Sequence, residues 1–165
     1  MSALTLRQLS LLPPAIKTLE QHAVEEGFRF LSRLIDDWDA GTNRFDAPGE
    51  CLLAGYVNEE LVAVGGLSID PYLPIDPLTG GRIGRLRRVY VTPALRGQGI
   101  GKAMVEALVA HAGDAFGAVR LSTDTVNGDG FYRSCGFQSI EDAQATHVRL
   151  LPPLNASEGL RRRVQ

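Results

Sequence analysis

The sequence predicts one α/β (α+β) domain in which seven β-strands and four helices follow the order β-α-α-β-β-β-α-β-α-β-β. Short, apolar, β-prone runs alternate with segments whose apolar residues recur at three- and four-residue spacing. Two of the runs, residues 51–57 and 61–69, are separated only by Asn58-Glu59-Glu60, a hairpin signal that makes part of the sheet antiparallel. A length of 165 residues with 44% hydrophobic and 22% charged side chains suits one domain with a substantial core.

Taken in order, residues 5–9 read as a first strand. Pro13-Pro14 suits a helix start, and Ile16, Leu19 and Ala23 form its apolar stripe. Gly27 interrupts that pattern, and Phe28, Leu31, Leu34, Ile35 and Trp38 resume it as a second helix ending at Gly41. A polar loop precedes the hairpin, and residues 71–81, with three prolines and two glycines, cannot hold a regular element. Residues 82–91 form the next strand and residues 101–112 a helix. Strand, helix, strand and strand are then expected at 119–123, 128–135, 137–140 and 146–151. The domain is assigned to residues 1–153, and residues 154–165 to a polar tail carrying Arg161-Arg162-Arg163.

The most informative segment is residues 88–104, RVYVTPALRGQGIGKAM. A strand ends at Val91, Thr92-Pro93 turns the chain, and a loop with glycines at 97, 99 and 101 opens onto an amphipathic helix. Glycines leave backbone N–H groups uncovered, and at a helix N-terminus the unpaired donors and the macrodipole together attract an anion. Arg96 and Lys102 add positive charge on either side. The loop is therefore suited to a phosphate or pyrophosphate. It is not a dinucleotide fingerprint, because Lys102 stands where the third glycine belongs. Nor is it a nucleotide P-loop, because Arg96 replaces the first glycine and Ala103 the Mg²⁺-binding hydroxyl residue.

What this segment resembles is the acetyl-CoA motif Arg-x-x-Gly-x-Gly of the GNAT N-acetyltransferase superfamily, with a close match over residues 88–102. A second segment agrees. Gly130-Phe131-Tyr132-Arg133-Ser134-Cys135-Gly136-Phe137 reads as a short helix capped by Gly136 and followed by a strand. It is similar to the family's Phe-Tyr-x-x-x-Gly-Phe segment, which lies beside the thioester end of CoA. The resemblance implies a mixed, mostly antiparallel sheet of about seven strands flanked by helices, with the fourth and fifth strands splayed around CoA. It implies that acetyl-CoA is the co-substrate, with contacts from Val89, Tyr90, Val91, Arg96, Gly97, Gln98, Gly99, Ile100, Gly101, Lys102, Thr125 and Phe131. Tyr132 becomes the catalytic acid for the departing thiolate, although a tyrosine at that place packs in a core equally well. A backbone N–H near residues 89–91 becomes the oxyanion donor.

Two positions depart from the family pattern. Many relatives carry a glutamate where this chain has Arg85, and arginine is no base at neutral pH. Either a carboxylate elsewhere works through water, with Asp70, Asp76, Asp36 and Asp37 as candidates, or the amine arrives largely neutral. Arg85 and Asp70 are the expected acceptor-side residues, with Arg85 binding an acceptor anion through its fork or pairing with a surface acid. Thr125 stands where relatives often have a pantetheine-binding asparagine, and Asn127 lies two residues later.

The implied function is acetyl transfer to a primary amine of a small molecule or peptide. The alternative is a non-catalytic acyl-CoA-binding sensor module of the same fold. A formal net charge of −2 gives no field for nucleic acid or an anionic membrane. No window approaches a membrane span, and no secretory signal is visible, so the cytoplasm is expected. His22, His111 and His147 have no ligand spacing, so no metal is expected. Cys51 and Cys135 are read as reduced thiols, Cys135 as a small buried hydrophobe, and a homodimer is left open.

Overall fold

The computed structural model describes residues 3–152; the residues from 153 onward, including the expected polar tail, lie outside the described part. The elements are β1 (Leu4–Gln8), α1 (Ile16–Glu25), α2 (Phe30–Ala40), β2 (Cys51–Val57), β3 (Glu60–Ile69), β4 (Ile83–Val91), α3 (Ile100–Ala112), β5 (Ala118–Leu121), α4 (Val126–Ser134), β6 (Gln138–Ser139) and β7 (His147–Leu150). A single turn of 3₁₀ helix, Pro93–Leu95, joins β4 to the glycine loop. The strands form one sheet in the order β1-β2-β3-β4-β5-β7-β6. Every neighbouring pair is antiparallel except β4 and β5.

Strands β2 and β3 are apolar on both faces because both faces are covered. Along β2 the side chains alternate between two cores. Cys51 and Leu53 join the core formed with α3, and Leu52 and Ala54 join the one formed with α1 and α2. In α3 the residues Met104, Val105, Leu108 and Val109 supply the buried stripe, whereas α1 uses Ile16, Leu19 and Ala23. Gly65 allows close packing of α3, since a Cβ there would lie 3.0 Å from both Leu108 and Met104.

Boundary differences from the sequence reading have local causes. The hairpin loop has two residues, Asn58 and Glu59, both left-handed at φ 51° and 63°, so Glu60 joins β3. Helix α2 starts at Phe30 because the Phe28 N–H turns back to the Ala23 carbonyl and completes the end of α1. Helix α4 starts at Val126 because Thr125 Oγ1 accepts from the Gly128 N–H at 2.9 Å and caps it. Strand β5 stops at Leu121, and two residues on, the Thr123 N–H donates to Thr146 Oγ1 instead of a ladder carbonyl. Strand β6 loses Phe137, whose N–H closes the α4 C-terminus on Tyr132 O beside left-handed Gly136.

Strands β4 and β5 pair only from Ile83–Ala118 to Arg85–Arg120, and β4 then continues to Val91 without a β5 partner. At the point of divergence sits a charge cluster. Asp70, at the end of β3, is fully buried; its Oδ1 accepts from the N–H groups of Tyr72 and Leu73. Its Oδ2 lies 3.5 Å from Arg85 Nη1 and 3.4 Å from Arg120 Nε. Arg120 continues to Asp142 at 2.9 Å. One carboxylate thus holds the two guanidinium groups on the last paired residues of β4 and β5.

Removing one partner of a buried pair strands the remaining charges. Asp70→Asn should therefore destabilise the fold by about 3–5 kcal/mol, a Tm loss of roughly 6–20 °C in scanning calorimetry. Asp142→Asn, which alters the exposed end of the same chain of charges, should cost under about 1 kcal/mol.

Candidate functional site

The divergence of β4 and β5 opens a cavity of about 1130 Å³ that runs from the glycine loop to the Pro71–Tyr72 segment. At one end, Gly97 and Gly99 are left-handed, with φ of 81° and 85°, and Gly99 is the N-cap of α3. No side chain caps α3, so its first-turn N–H groups remain unpaired by a cap. A Cβ at Gly97 or Gly99 would meet nothing within 4 Å among the described residues; the space belongs to the cavity. Gly101 has a different task, since a Cβ there would lie 3.3 Å from the Phe131 ring.

A β-bulge shapes the middle of the cavity. Gly66 pairs with Arg87 and Val64 with Tyr90, so two steps on β3 face three on β4, and Arg88 and Val89 have no register partner. Arg88 takes φ 61° at the bulge. The extra residue changes the phase of the strand. Val89 and Val91 pack toward α3, while Tyr90 joins the α1/α2 core and Arg88 reaches Asp37 of α2. Backbone around Val89 is thereby released from the β3 ladder beside the gap to β5.

Across the gap lies Tyr132 on α4, wedged against Phe131 at 5.0 Å, Phe137 at 5.8 Å and His147 at 6.3 Å between ring centroids. His147 is itself fixed by Asp129, at 2.7 Å. The Tyr132 hydroxyl makes no hydrogen bond to a described residue, and burial raises its pKa to about 12. It remains a proton donor throughout the neutral range.

A third feature escapes the sequence reading. Glu26, at the end of α1, accepts from Tyr90 Oη and forms a two-pronged pair with Arg96, 2.7 Å at each prong. Arg96 Nε also donates to Val91 O at 3.0 Å. His22 Nδ1 lies 3.1 Å from Thr92 Oγ1, a second tie from α1 to the same strand end. Arg96 has five N–H donors. Three are used in these contacts, which leaves two for a ligand phosphate. The Arg96 pair and the Tyr90 hydrogen bond hold the Glu26 carboxyl below its ordinary pKa, and burial together with Glu26 pushes the Tyr90 phenol up.

Of the residues expected at the site, Arg85, Val89, Tyr90, Val91, Arg96, Gly97, Gly99, Ile100, Gly101, Lys102, Thr125, Phe131 and Tyr132 line this cavity, and Asn127 lines it as well. Gln98 does not; it is exposed. Asp70 does not either, because it lies behind Arg85 and its oxygens are already engaged. The candidate bases Asp36, Asp37 and Asp76 also lie off the cavity wall, and Glu26 is its only carboxylate among the described residues. Arg85 is a buried arginine, not an exposed one. It is bound to Ser122 Oγ at 2.8 Å and stacked 5.0 Å over Tyr72.

The model of the Acetyltransferase (GNAT) family matches residues 19–137, most of the described chain. The protein belongs to the GNAT acetyltransferase family. Among curated proteins no sequence matches it. Solved structures do. A candidate acetyltransferase from Exiguobacterium sp. 255-15 is 24% identical, with a TM-score of 0.76 over 90% of this chain and 93% of its own. Glucosamine-6-phosphate N-acetyltransferase from Arabidopsis thaliana is 19% identical, with a TM-score of 0.60 over 87% of this chain and 97% of its own. A sequence-predicted acetyltransferase from Clostridium acetobutylicum, solved with acetyl-CoA, is 19% identical, with a TM-score of 0.62 over 85% and 93%. At these identities the structures establish the shared fold.

GNAT proteins use acyl-CoA, and this cavity suits one. Uncapped α3 amides, two glycines with open space where a Cβ would be, and Lys102 can hold a pyrophosphate. The freed β4 backbone and Asn127 can meet the polar groups of an extended arm. Both cysteines are buried and neither lines the cavity. Burial raises the Cys51 thiol to about 11 and also raises Cys135, which favours the thiol over the thiolate at both. Among the described residues no cluster of His, Cys, Asp and Glu is arranged for a metal, and no helix is long and apolar enough to cross a membrane.

Gly99→Val places a branched side chain in the anion's space at a left-handed φ. The backbone cost is about 1–2 kcal/mol, a Tm loss of roughly 2–8 °C. Acetyl-CoA affinity measured by calorimetry should fall at least about 10- to 150-fold, the worth of a charge-assisted contact. Unchanged affinity in the folded variant would make the loop a turn and nothing more.

Proposed function

We propose that this GNAT protein transfers the acetyl group of acetyl-CoA to a primary amine of a small molecule or peptide. One observation carries the proposal: Tyr132, whose hydroxyl stays protonated and has no partner among the described residues, lines the same cavity as the bare-amide loop and the bulged β4. Acetyl-CoA supplies the activated acyl carbon and a thiolate leaving group. The chain's part is to hold it, to stabilise charge on the acyl oxygen and on sulfur, and to present a neutral amine.

Backbone N–H groups released by the bulge near Val89 are fixed donors for the developing oxyanion. Tyr132 stabilises the departing sulfur. Its pKa of about 12 lies above that of a thiol, so it stays protonated and donates a hydrogen bond to the departing thiolate, which takes its proton from water. The amine must lose a proton, since an alkylammonium has pKa ~10.4 in water. No histidine lines the cavity among the described residues, and Glu26 is committed to Arg96 and Tyr90. The arginines around the gap do that work electrostatically. Cations beside an ammonium favour its neutral form, and the released proton passes to bulk water.

A second reading, an acyl-CoA-binding sensor without turnover, draws on the arginine that stands where many relatives carry a glutamate. Thiol release from acetyl-CoA with a panel of amines separates the two, since binding without release would establish the sensor.

Tyr132→Phe keeps the aromatic packing and removes the donor. Its kcat should fall by about 10²–10⁴-fold while acetyl-CoA affinity hardly changes; an unchanged chemical rate in single turnover would return Tyr132 to core packing. The pH profile gives an independent check. Glu26 already ionises below its ordinary range, so the rising limb of kcat/KM should follow the acceptor's own pKa. It should move in parallel when acceptors of different basicity are compared, and a limb fixed near pH 6–7 for all acceptors would identify a protein base instead.

A further inference from the structure

The end of the cavity remote from the glycine loop carries an excess of positive charge. Arg33 from α2 and Arg85, Arg87 and Arg88 from β4 all line it. Two of the four have acids of their own. Arg85 shares Asp70 with Arg120, and Arg120 has Asp142 as well, which makes that group of four neutral. Arg88 faces Asp37 at 3.5 Å. Arg33 and Arg87 form no ion pair and no side-chain hydrogen bond with any described residue; both border the cavity, and Arg87 also borders a smaller pocket with Asp37, Asp46 and Glu50. The one carboxylate on the wall, Glu26, is neutralised by Arg96 at the opposite end.

This crowding is imposed by the backbone. Arg85 and Arg87 share a strand face by the two-residue period. The bulge then turns Arg88 toward α2 as well, where ordinary alternation would have sent it to the other side. The Arg88 pKa is lowered by burial first and then by Arg87, with Arg33 contributing further, so the three cations disfavour one another. A fold that assembles like charges in a concave site is stabilised by an anion there, and planar guanidinium forks match carboxylate and phosphate oxygens in pairs. Arg87 lies about four strand residues from Val91, roughly 13 Å, too far to serve the anion held at the α3 N-terminus.

We infer that the acceptor is an amine that also bears an anionic group, a carboxylate or a phosphate, and that Arg33 and Arg87 bind that group. The inference rests on the N-acetyltransferase reading for the amine and on the charge geometry for the anion. The anion would seat on the two unpaired guanidinium groups, with Arg88 adding field. The amine would then project along β4 toward the bulge and Tyr132. The same arginines that fix the anion would favour the neutral amine, so one cluster would set both specificity and reactivity.

Paired amines test this. Thiol release from saturating acetyl-CoA is measured with glycine against glycinamide and with phosphoethanolamine against ethanolamine. The anionic member of at least one pair should have kcat/KM about 10- to 150-fold above its neutral partner, and the pair that shows it distinguishes carboxylate from phosphate. Arg87→Ala and Arg33→Ala should each collapse that preference, while Arg87→Lys should restore part of it and Arg87→Glu should reverse it. Neutral amines equal to or better than anionic ones, or a preference unmoved by either alanine variant, would overturn the inference. If acetyl-CoA binds but no amine releases thiol, the transfer reading fails. Calorimetry of inorganic phosphate with the acetyl-CoA complex then decides the anion site. Binding lost in Arg87→Ala keeps it, and no binding removes it.

Discussion

The site depends on the early end of the pairing between β4 and β5. A parallel pair that continued to Val91 would fill the gap with backbone hydrogen bonds and leave no cavity. The pairing stops after Arg85 and Arg120, and those two residues are joined through one buried carboxylate. Asp70 thus closes the fork at its base. Beyond it, β4 is held on the β3 side alone and β5 turns away through Thr125 into α4. Separating two neighbouring strands exposes polar backbone, which is tolerable only where water or a ligand can meet it.

The bulge at Arg88 adds a second consequence. One extra residue makes the strand present valines to α3 and arginines and a tyrosine to α1 and α2. Tyr90 therefore meets Glu26, and Glu26 meets Arg96, so the end of α1 is tied to the start of the glycine loop. The loop that would hold the phosphates and the helices that would border an acceptor are linked through one carboxylate. Positive charge lies at both ends of the cavity, and the Tyr132 hydroxyl and the freed amides lie between them. On the proposed reading, charge would be held at the ends and formed in the middle, which suits transfer between two anchored molecules.

Much of this was legible in the chain. The glycine spacing at 97, 99 and 101, with Arg96 before it, predicts an anion loop because bare amides at a helix start have few other uses. The apolar runs gave the strands and the hairpin, since a sheet covered on both faces requires them. Arg85 was recognised as a departure from the family pattern, but its surroundings were not, and Asp70 was expected on the acceptor side when it lies behind that arginine. Glu26, Arg33, Arg87 and Tyr72 were not singled out at all. Their positions in sequence are ordinary, at a helix end, on a helix surface, on a strand and in a loop. The one available signal, three arginines within residues 85–88, cannot be read without the bulge that turns two successive ones to the same side.

The sequence by itself determined what depends on neighbours along the chain: helix and strand periods, the hairpin between β2 and β3, and the glycine-rich loop that opens α3. These follow from steric limits and hydrogen bonds spanning a few residues, so composition and spacing are sufficient. Only the tertiary structure decided where the strands part, which acid neutralises which arginine and which faces line the cavity. Those outcomes arise from pairs such as Glu26 with Arg96, 70 residues apart, and from a one-residue shift that inverts the facing of everything after it. Burial makes such pairings strong, and burial is a property of the packed whole.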